Sequence, residues 1–89
     1  MPVYVDEIRV WPTKIRCFKG GSCHLTADTL EELHAFAHRL ALRREWFQDH
    51  SVMPHYDLTP ARRERALEFG AVFVSTREQI RKRRQVTRV

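Results

Sequence analysis

The sequence is poor in the residues from which covalent and glycine-dependent sites are built. Its two cysteines, Cys17 and Cys23, are too few for a disulfide scaffold or for a zinc site of four thiolates. None of its three glycines stands in a phosphate-cradling loop, because Lys19-Gly20-Gly21 is better explained as a turn. No serine or cysteine lies in a recognisable nucleophile motif. These absences leave histidine, carboxylate and arginine chemistry as the candidates.

Long apolar runs are also absent. No stretch approaches the roughly 18–20 apolar residues that a membrane span requires. The N-terminus lacks the basic start and the long apolar segment of a secretory signal. We therefore expect a cytoplasmic protein with no membrane partner. With 89 residues, the chain has room for one domain with a modest core.

The positive charge is concentrated at the C-terminal end. From Thr76 onward there are six basic residues against Glu78 alone, which accounts for the whole net charge of +5. Residues 1–75 hold ten basic and ten acidic side chains and are neutral. We predict an α/β domain over residues 3–75 and a basic helix and tail over 76–89. The tail is the first candidate for nucleic-acid contact, although an arginine-rich coding bias would give the same composition.

Two regions near the N-terminus predict strands. Residues 3–10 are rich in β-branched side chains and predict the first strand. Residues 15–18 and 22–27 predict a hairpin around a loop with two glycines. A three-residue loop would place Cys17 opposite Cys23, with both thiols reduced.

Two helices are marked by their ends. Thr29-x-x-Glu32 has the spacing of a capping box and predicts a helix to about Leu42. Thr59-Pro60 predicts the start of a second helix, and Gly70 its end. The residues of the first helix expected to face the core are Leu30, Leu33, Phe36, Ala37, Leu40 and Ala41.

The remaining segments complete the fold prediction. Residues 43–58 predict a loop with a short helical turn at its start, 71–74 a short strand, and 77–84 a basic helix. The last strand could join the sheet parallel to an earlier one. The order implies an α/β fold: a single small domain with a three- to four-stranded mixed sheet, two main helices on one face and a basic C-terminal helix.

Several short sequence motifs together resemble those of a known family. They are Val3-Tyr4-Val5-Asp6, Cys23-His24, Ala27-Asp28-Thr29, Glu32-Leu33-His34-Ala35-Phe36-Ala37, Trp46-Phe47-Gln48, His55-Tyr56-Asp57-Leu58 and Gly70-Ala71. In this order and spacing they resemble the small bacterial and phage proteins known as domain of unknown function 4031. The resemblance covers roughly residues 3–75 and implies no activity.

Histidines are frequent, with five in the chain, all between residues 24 and 55. His24, Asp28 and His34 lie around a junction of strand and helix, where α/β folds collect ligands. His34 and His38 also have the i, i+4 spacing of metal ligands. Each has a plainer interpretation: Asp28 as a helix cap, His24 as a half-buried strand residue, and the two helical histidines as solvated side chains.

A second group of polar residues follows in the chain. His55 and Asp57 point the same way in an extended chain, and could converge on a ligand or form an internal hydrogen bond. Arg62 and Arg63 lie in the first turn of a helix and could hold an anion or form a solvated face. Trp46 could stack on a base or fill the core.

Three functional hypotheses remain open, and the sequence does not decide whether the protein is an enzyme or what its oligomeric state is. The first is a binding module for a phosphate-bearing small molecule, such as a nucleotide, or a nucleic-acid end, with a pocket formed by His24, His34, Trp46, His55, Tyr56, Asp57, Arg62 and Arg63. The second is a small zinc- or manganese-dependent hydrolase, with ligands drawn from His24, Asp28, His34, His55 and Asp57. The third is an interaction protein whose basic tail binds an acidic partner or nucleic acid.

Overall fold

The computed structural model describes residues 3–10, 20–50 and 53–87, with side chains in the last helix as far as residue 82. These parts of the chain contain four strands, three α-helices and a 3₁₀ turn at Arg44–Trp46. In chain order the elements are β1 (Val3–Val5), β2 (Cys23–Ala27), α1 (Leu30–Arg39), β3 (Tyr56–Leu58), α2 (Pro60–Glu68), β4 (Val72–Phe73) and α3 (Thr76–Thr87).

The strands form one mixed sheet in the order β3-β2-β1-β4. Strand β2 runs antiparallel to both β1 and β3, whereas β4 runs parallel to β1. The register places Val5 beside Leu25 and His24 beside Asp57. The predicted mixed sheet is therefore confirmed, as is the parallel pairing of the last strand.

The two faces of the sheet differ in chemistry, because successive side chains of a strand point to opposite faces. Helices α1 and α2 cover an apolar face and contribute Leu33 and Ala66 to one hydrophobic cluster with it. The sheet residues in that cluster are Val3, Val5, Cys23, Leu25, Ala27, Tyr56 and Leu58. Helix α3 lies against the other face, where the buried Thr26 hydroxyl donates to Gln79 Oε1 at 2.5 Å.

The start of α1 follows from its capping box. The Thr29 hydroxyl accepts from the Glu32 N–H and donates to the Glu32 carboxylate. The predicted core residues that are buried are Leu33, Phe36, Ala37 and Leu40. The prediction was wrong for Leu30, which is 49% exposed in the first turn. It was also wrong for Ala41, which lies beyond the helix end with a φ of 59° and is exposed.

Helix α2 is bounded as its sequence predicts. The Thr59 side chain caps the N-terminus by accepting from the Arg62 N–H at 3.3 Å, and Pro60 occupies the first turn. Gly70 follows the helix with a φ of 107°, the left-handed conformation that ends helices and suits glycine. The Ala71 N–H then bonds back to the Ala66 carbonyl and leads the chain into β4.

Three predicted strand or loop boundaries differ from the structure. Strand β1 ends at Val5, where the Asp6 carboxylate accepts the His24 backbone N–H, and an isolated Arg9–Ser22 bridge follows. The predicted loop over 43–58 contains β3 at its end. Strand β4 has two residues rather than four.

The predicted strand over 15–18 and its Cys17 lie outside the described residues. The described neighbours of β2 are β1 and β3. Cys23 is buried in the core, and this burial raises the pKa of its thiol to about 12. Cys23 is therefore an unreactive core thiol. Within the described ranges, no helix has the length and apolar character needed to cross a bilayer.

Candidate metal centre

Three of the predicted site residues meet on the polar face of the sheet. His24 on β2 and Asp57 on β3 are directly opposite each other, and His55 precedes Asp57 by two residues on the same side of the strand. One nitrogen from each histidine and one Asp57 oxygen lie within 4.8 Å of one another. The rings of His24 and His55 meet edge to face, with centroids 4.5 Å apart.

Asp6 fixes the orientation of His24. Its carboxylate is fully buried and accepts from the His24 backbone N–H at 2.6 Å and from His24 Nδ1 at 2.7 Å. Burial alone would raise the pKa of Asp6, but the hydrogen bonds from His24 and Thr76 outweigh it and lower the pKa. Because an ionised carboxylate only accepts, Nδ1 carries the proton and the lone pair of neutral His24 lies on Nε2.

A backbone carbonyl orients the His55 ring. His55 Nδ1 lies 2.8 Å from the Met53 carbonyl oxygen, which only accepts, so Nδ1 donates. His55 Nε2 then faces Asp57 Oδ1 at 3.5 Å. Burial lowers the pKa of His55, but the bonds to Asp57 and Met53 outweigh burial and the net pKa is raised.

Asp57 is held by a residue from the preceding loop. Gln48 Nε2 donates to Asp57 Oδ2 at 2.5 Å, and the Gln48 backbone pairs with that of His55. The hydrogen bond from His55 is the main cause that lowers the pKa of Asp57, against the effect of burial. Asp57 is therefore an ionised carboxylate whose Oδ1 faces His55 at 3.5 Å.

The arrangement has the chemistry of a metal centre with open coordination positions. Metal-binding histidines characteristically donate their second ring N–H to a carboxylate or a backbone carbonyl, as His24 does to Asp6 and His55 to Met53. Two imidazoles and one carboxylate suit zinc, manganese or iron(II). The His24 and Asp57 side chains are 31% and 29% exposed, so a further ligand can approach from solvent.

Two other predicted metal ligands lie elsewhere. His34 projects from α1 on the opposite, apolar side of the sheet, where its Nδ1 is 2.8 Å from the Tyr56 hydroxyl. Burial and the nearby Arg44 lower the pKa of His34. Asp28 accepts from the Tyr4 hydroxyl at 3.0 Å. His34 and Tyr56 therefore lie on the other side of the sheet from His24.

Trp46 and the two arginines form a separate surface. Trp46 is 42% exposed, so it does not fill the core. The guanidinium carbons of Arg62 and Arg43 lie 5.2 and 5.8 Å from the centre of its ring. Arg63 diverges from Arg62 and donates from Nε to the Asp6 carbonyl at 3.0 Å. Arg62 thus belongs to an exposed arginine–tryptophan patch, while Arg63 supports the backbone at Asp6.

Three residues of the centre were missed in the sequence: Asp6, Gln48 and Thr76. Asp6 reads as part of a strand and Gln48 as part of a loop, and nothing in the spacing links either to a histidine. A usable signal was that Asp6 and Gln48 each lie within a sequence motif that carries the family resemblance. Thr76 carries no such signal and reads only as a helix cap.

The fold and the polar cluster define a small α/β protein with a candidate metal centre on the open face of its sheet. The chain belongs to the family described as "Protein of unknown function (DUF4031)", whose profile matches residues 3–86. The predicted resemblance is therefore confirmed over nearly the whole chain. No curated protein and no solved structure matches the chain.

Proposed function

We propose that the protein is a divalent-metal-dependent hydrolase whose metal is bound by His24, His55 and Asp57. One observation carries the proposal: Asp6 and Met53 hold the Nδ1 atoms of His24 and His55, and one nitrogen of each ring lies within 4.8 Å of the other and of one Asp57 oxygen. This supports the hydrolase hypothesis over the single phosphate pocket, since the residues of that pocket lie on two sides of the sheet.

The donor spacing is compatible with a metal after a small adjustment. With bonds of about 2.1 Å, tetrahedral ligands lie roughly 3.4 Å apart, whereas the three donors here lie within 4.8 Å. Small rotations of side chains that are already hydrogen-bonded would close this difference. Two neutral imidazoles and one carboxylate leave a divalent ion with a net charge of +1. A bound zinc ion of this kind lowers the pKa of a water ligand to about 7 and supplies a nucleophile at neutral pH.

Metal binding is tested on protein purified without an affinity tag, by elemental analysis and by calorimetric titration with Zn²⁺, Mn²⁺ and Fe²⁺. We expect one ion per chain. His24→Gln, His55→Gln and Asp57→Asn should weaken binding by more than the ~10–100-fold typical of an outer-shell change. His34→Gln and His38→Gln are matched controls and should bind as the wild type does. Equal losses in ligand variants and controls would disprove this site.

Hydrolysis is tested separately with bis-p-nitrophenyl phosphate and p-nitrophenyl acetate as generic probes. Activity should require the metal, disappear with a chelator and disappear in Asp57→Asn. Metal binding at His24, His55 and Asp57 without turnover of ester or phosphodiester substrates would refute the hydrolase and leave a metal-binding protein.

The arginine–tryptophan patch favours a second candidate function, the binding of a phosphate-bearing ligand. Trp46 is exposed and has two guanidiniums beside its ring, a combination that suits stacking of a base together with a phosphate contact. Nucleotide binding that is lost in Trp46→Leu and Arg62→Gln but unaffected by chelator would support this function. Binding unchanged in both variants would exclude the patch. A cytoplasmic location and a role for the basic tail stay predictions.

A further inference from the structure

We infer that Thr76 of α3 is a positioning residue for His24, so that metal occupancy and the docking of α3 are thermodynamically coupled. The inference rests on the proposed metal centre, because the coupling acts through one of its ligands. Helix α3 would then respond to the metal although none of its described side chains belongs to the ligand set.

The link is a single carboxylate oxygen. Asp6 Oδ2 accepts both from His24 Nδ1 at 2.7 Å and from the Thr76 hydroxyl at 2.5 Å. The Asp6 side chain is fully buried, so water does not replace either donor freely. Any rotation of this carboxylate would move the His24 ring and the start of α3 together.

The start of α3 is held against the sheet by further polar contacts. The Thr76 N–H donates to Glu7 Oε1 at 3.1 Å, and the single proton of the Thr76 hydroxyl is shared between Glu7 Oε1 and Asp6 Oδ2, each 2.5 Å from the hydroxyl oxygen. One turn later Gln79, 5% exposed, accepts from Thr26 and donates to the Val74 carbonyl at 2.9 Å. These bonds fix Thr76, and Thr76 in turn fixes Asp6. They are hydrogen bonds rather than apolar packing, so the docked state depends on their geometry.

Coupling of this kind is reciprocal. If docked α3 holds Asp6 in the geometry that orients His24, a metal on His24 must stabilise docked α3 by the same factor. Outer-shell partners of metal-binding histidines typically change metal affinity by about 10–100-fold. We expect the lower end of that range, about 10-fold, because Asp6 keeps its direct bonds to His24 when Thr76 is changed.

The experiment compares Thr76→Val, which removes the hydroxyl at similar volume, with Thr76→Ser, which keeps it. The exposed Arg77, one residue later, gives the matched control Arg77→Gln. Three measurements are made on each protein: the Zn²⁺ dissociation constant, the visible spectrum of the Co²⁺ form, and hydrogen exchange of α3 amides with and without metal. Thr76→Val should weaken Zn²⁺ binding about 10-fold and shift the Co²⁺ spectrum. Thr76→Ser and Arg77→Gln should match the wild type.

Metal should also slow exchange of the α3 amides in the wild type and not in Thr76→Val. Equal Zn²⁺ affinities and spectra in Thr76→Val and Thr76→Ser would overturn the inference while leaving the metal centre intact. Failure of the wild type to bind metal would overturn the proposed function instead. The metal coupling would then fall with it, and the remaining claim, that Thr76 and His24 are linked through Asp6, is decided in metal-free protein, where His24→Ala should speed α3 exchange about 5-fold, the effect of one net hydrogen bond. No change in that exchange would overturn it.

Discussion

Replacing Leu33 with alanine tests the packing of α1 on the sheet. Leu33 is 1% exposed and lies in the hydrophobic cluster with the strands. Buried Leu→Ala changes cost about 2–5 kcal/mol through lost burial and the cavity that remains. We expect about 3 kcal/mol, a large part of the ~5–10 kcal/mol typical of a small domain. Leu30→Ala is the matched control on the same helix, because Leu30 is 49% exposed, and it should cost less than about 1 kcal/mol.

The assay is urea unfolding followed by circular dichroism. With a slope of about 1 kcal/mol per molar urea for a domain of this size, Leu33→Ala should lower the midpoint by roughly 3 M and Leu30→Ala by less than ~1 M, both with unchanged slopes. Equal midpoints for the two variants would show that α1 packs through a different face. A changed slope would mean that the substitution altered the denatured state instead, and the comparison would move to Leu40→Ala.

Three further predictions concern a turn, a histidine and the tail. Gly21→Ala should destabilise more than Gly70→Ala in urea unfolding: both glycines have positive φ, but a Cβ at Gly21 would lie 2.6 Å from Ile8 and 2.9 Å from a backbone oxygen, with nothing within 4 Å at Gly70. Equal losses would show that backbone strain alone matters. Burial and Arg44 lower the pKa of His34 below its ordinary value of 6.5, so folding stability should fall as the pH drops from 6.5 toward that lowered pKa. His34→Gln should remove this part of the dependence of stability on pH, measured by thermal unfolding at several pH values. The same pH dependence in the variant and the wild type would contradict the assignment. Deleting residues 83–89 removes Arg83, Arg84 and Arg88, three of the six basic residues after Ser75, and should reduce the salt slope of any nucleic-acid binding by up to about 3. An unchanged salt slope would place the contact outside the deleted residues.

Elements with clear end signals could be predicted from the sequence. Thr29, Thr59-Pro60 and Gly70 act through local hydrogen bonding or backbone conformation, and such signals do not depend on distant parts of the chain. The predicted starts of α1 and α2 and the end of α2 therefore agree with the structure, whereas α1 ends at Arg39 rather than near Leu42. Leu30 was misassigned because helical periodicity gives the apolar stripe but does not show how far the first turn extends past the sheet.

The short strands could not be bounded in the same way. Strand β3 has three residues, and its existence depends on pairing with β2 rather than on its own propensity. Strand β1 ends where Asp6 and Glu7 bond to Thr76, some seventy residues later in the chain. Long-range contacts of this kind leave no periodic signal in the sequence.

Only part of the candidate site could be predicted, because its other contacts are also long-range. Alternation in an extended chain predicted that His55 and Asp57 share a side, and this needs only local geometry. Whether His24 or His34 joins them depends on which face of the sheet each one reaches. His34 is on a helix that covers the apolar face, so it meets Tyr56 instead. The sequence gives no means of seeing this without the strand order.

The distribution of polarity across the sheet explains why the candidate metal centre lies where it does. The face under α1 and α2 is filled with apolar side chains, whereas the opposite face carries Asp6, His24 and Asp57 with α3 covering only part of it. A buried carboxylate is costly unless donors surround it, and Asp6 is satisfied by His24 and Thr76 rather than by a lysine or arginine side chain. Replacement of such groups by apolar residues is often neutral or stabilising. Stability alone is therefore a weak explanation for Asp6, and the orientation of His24 is a sufficient one.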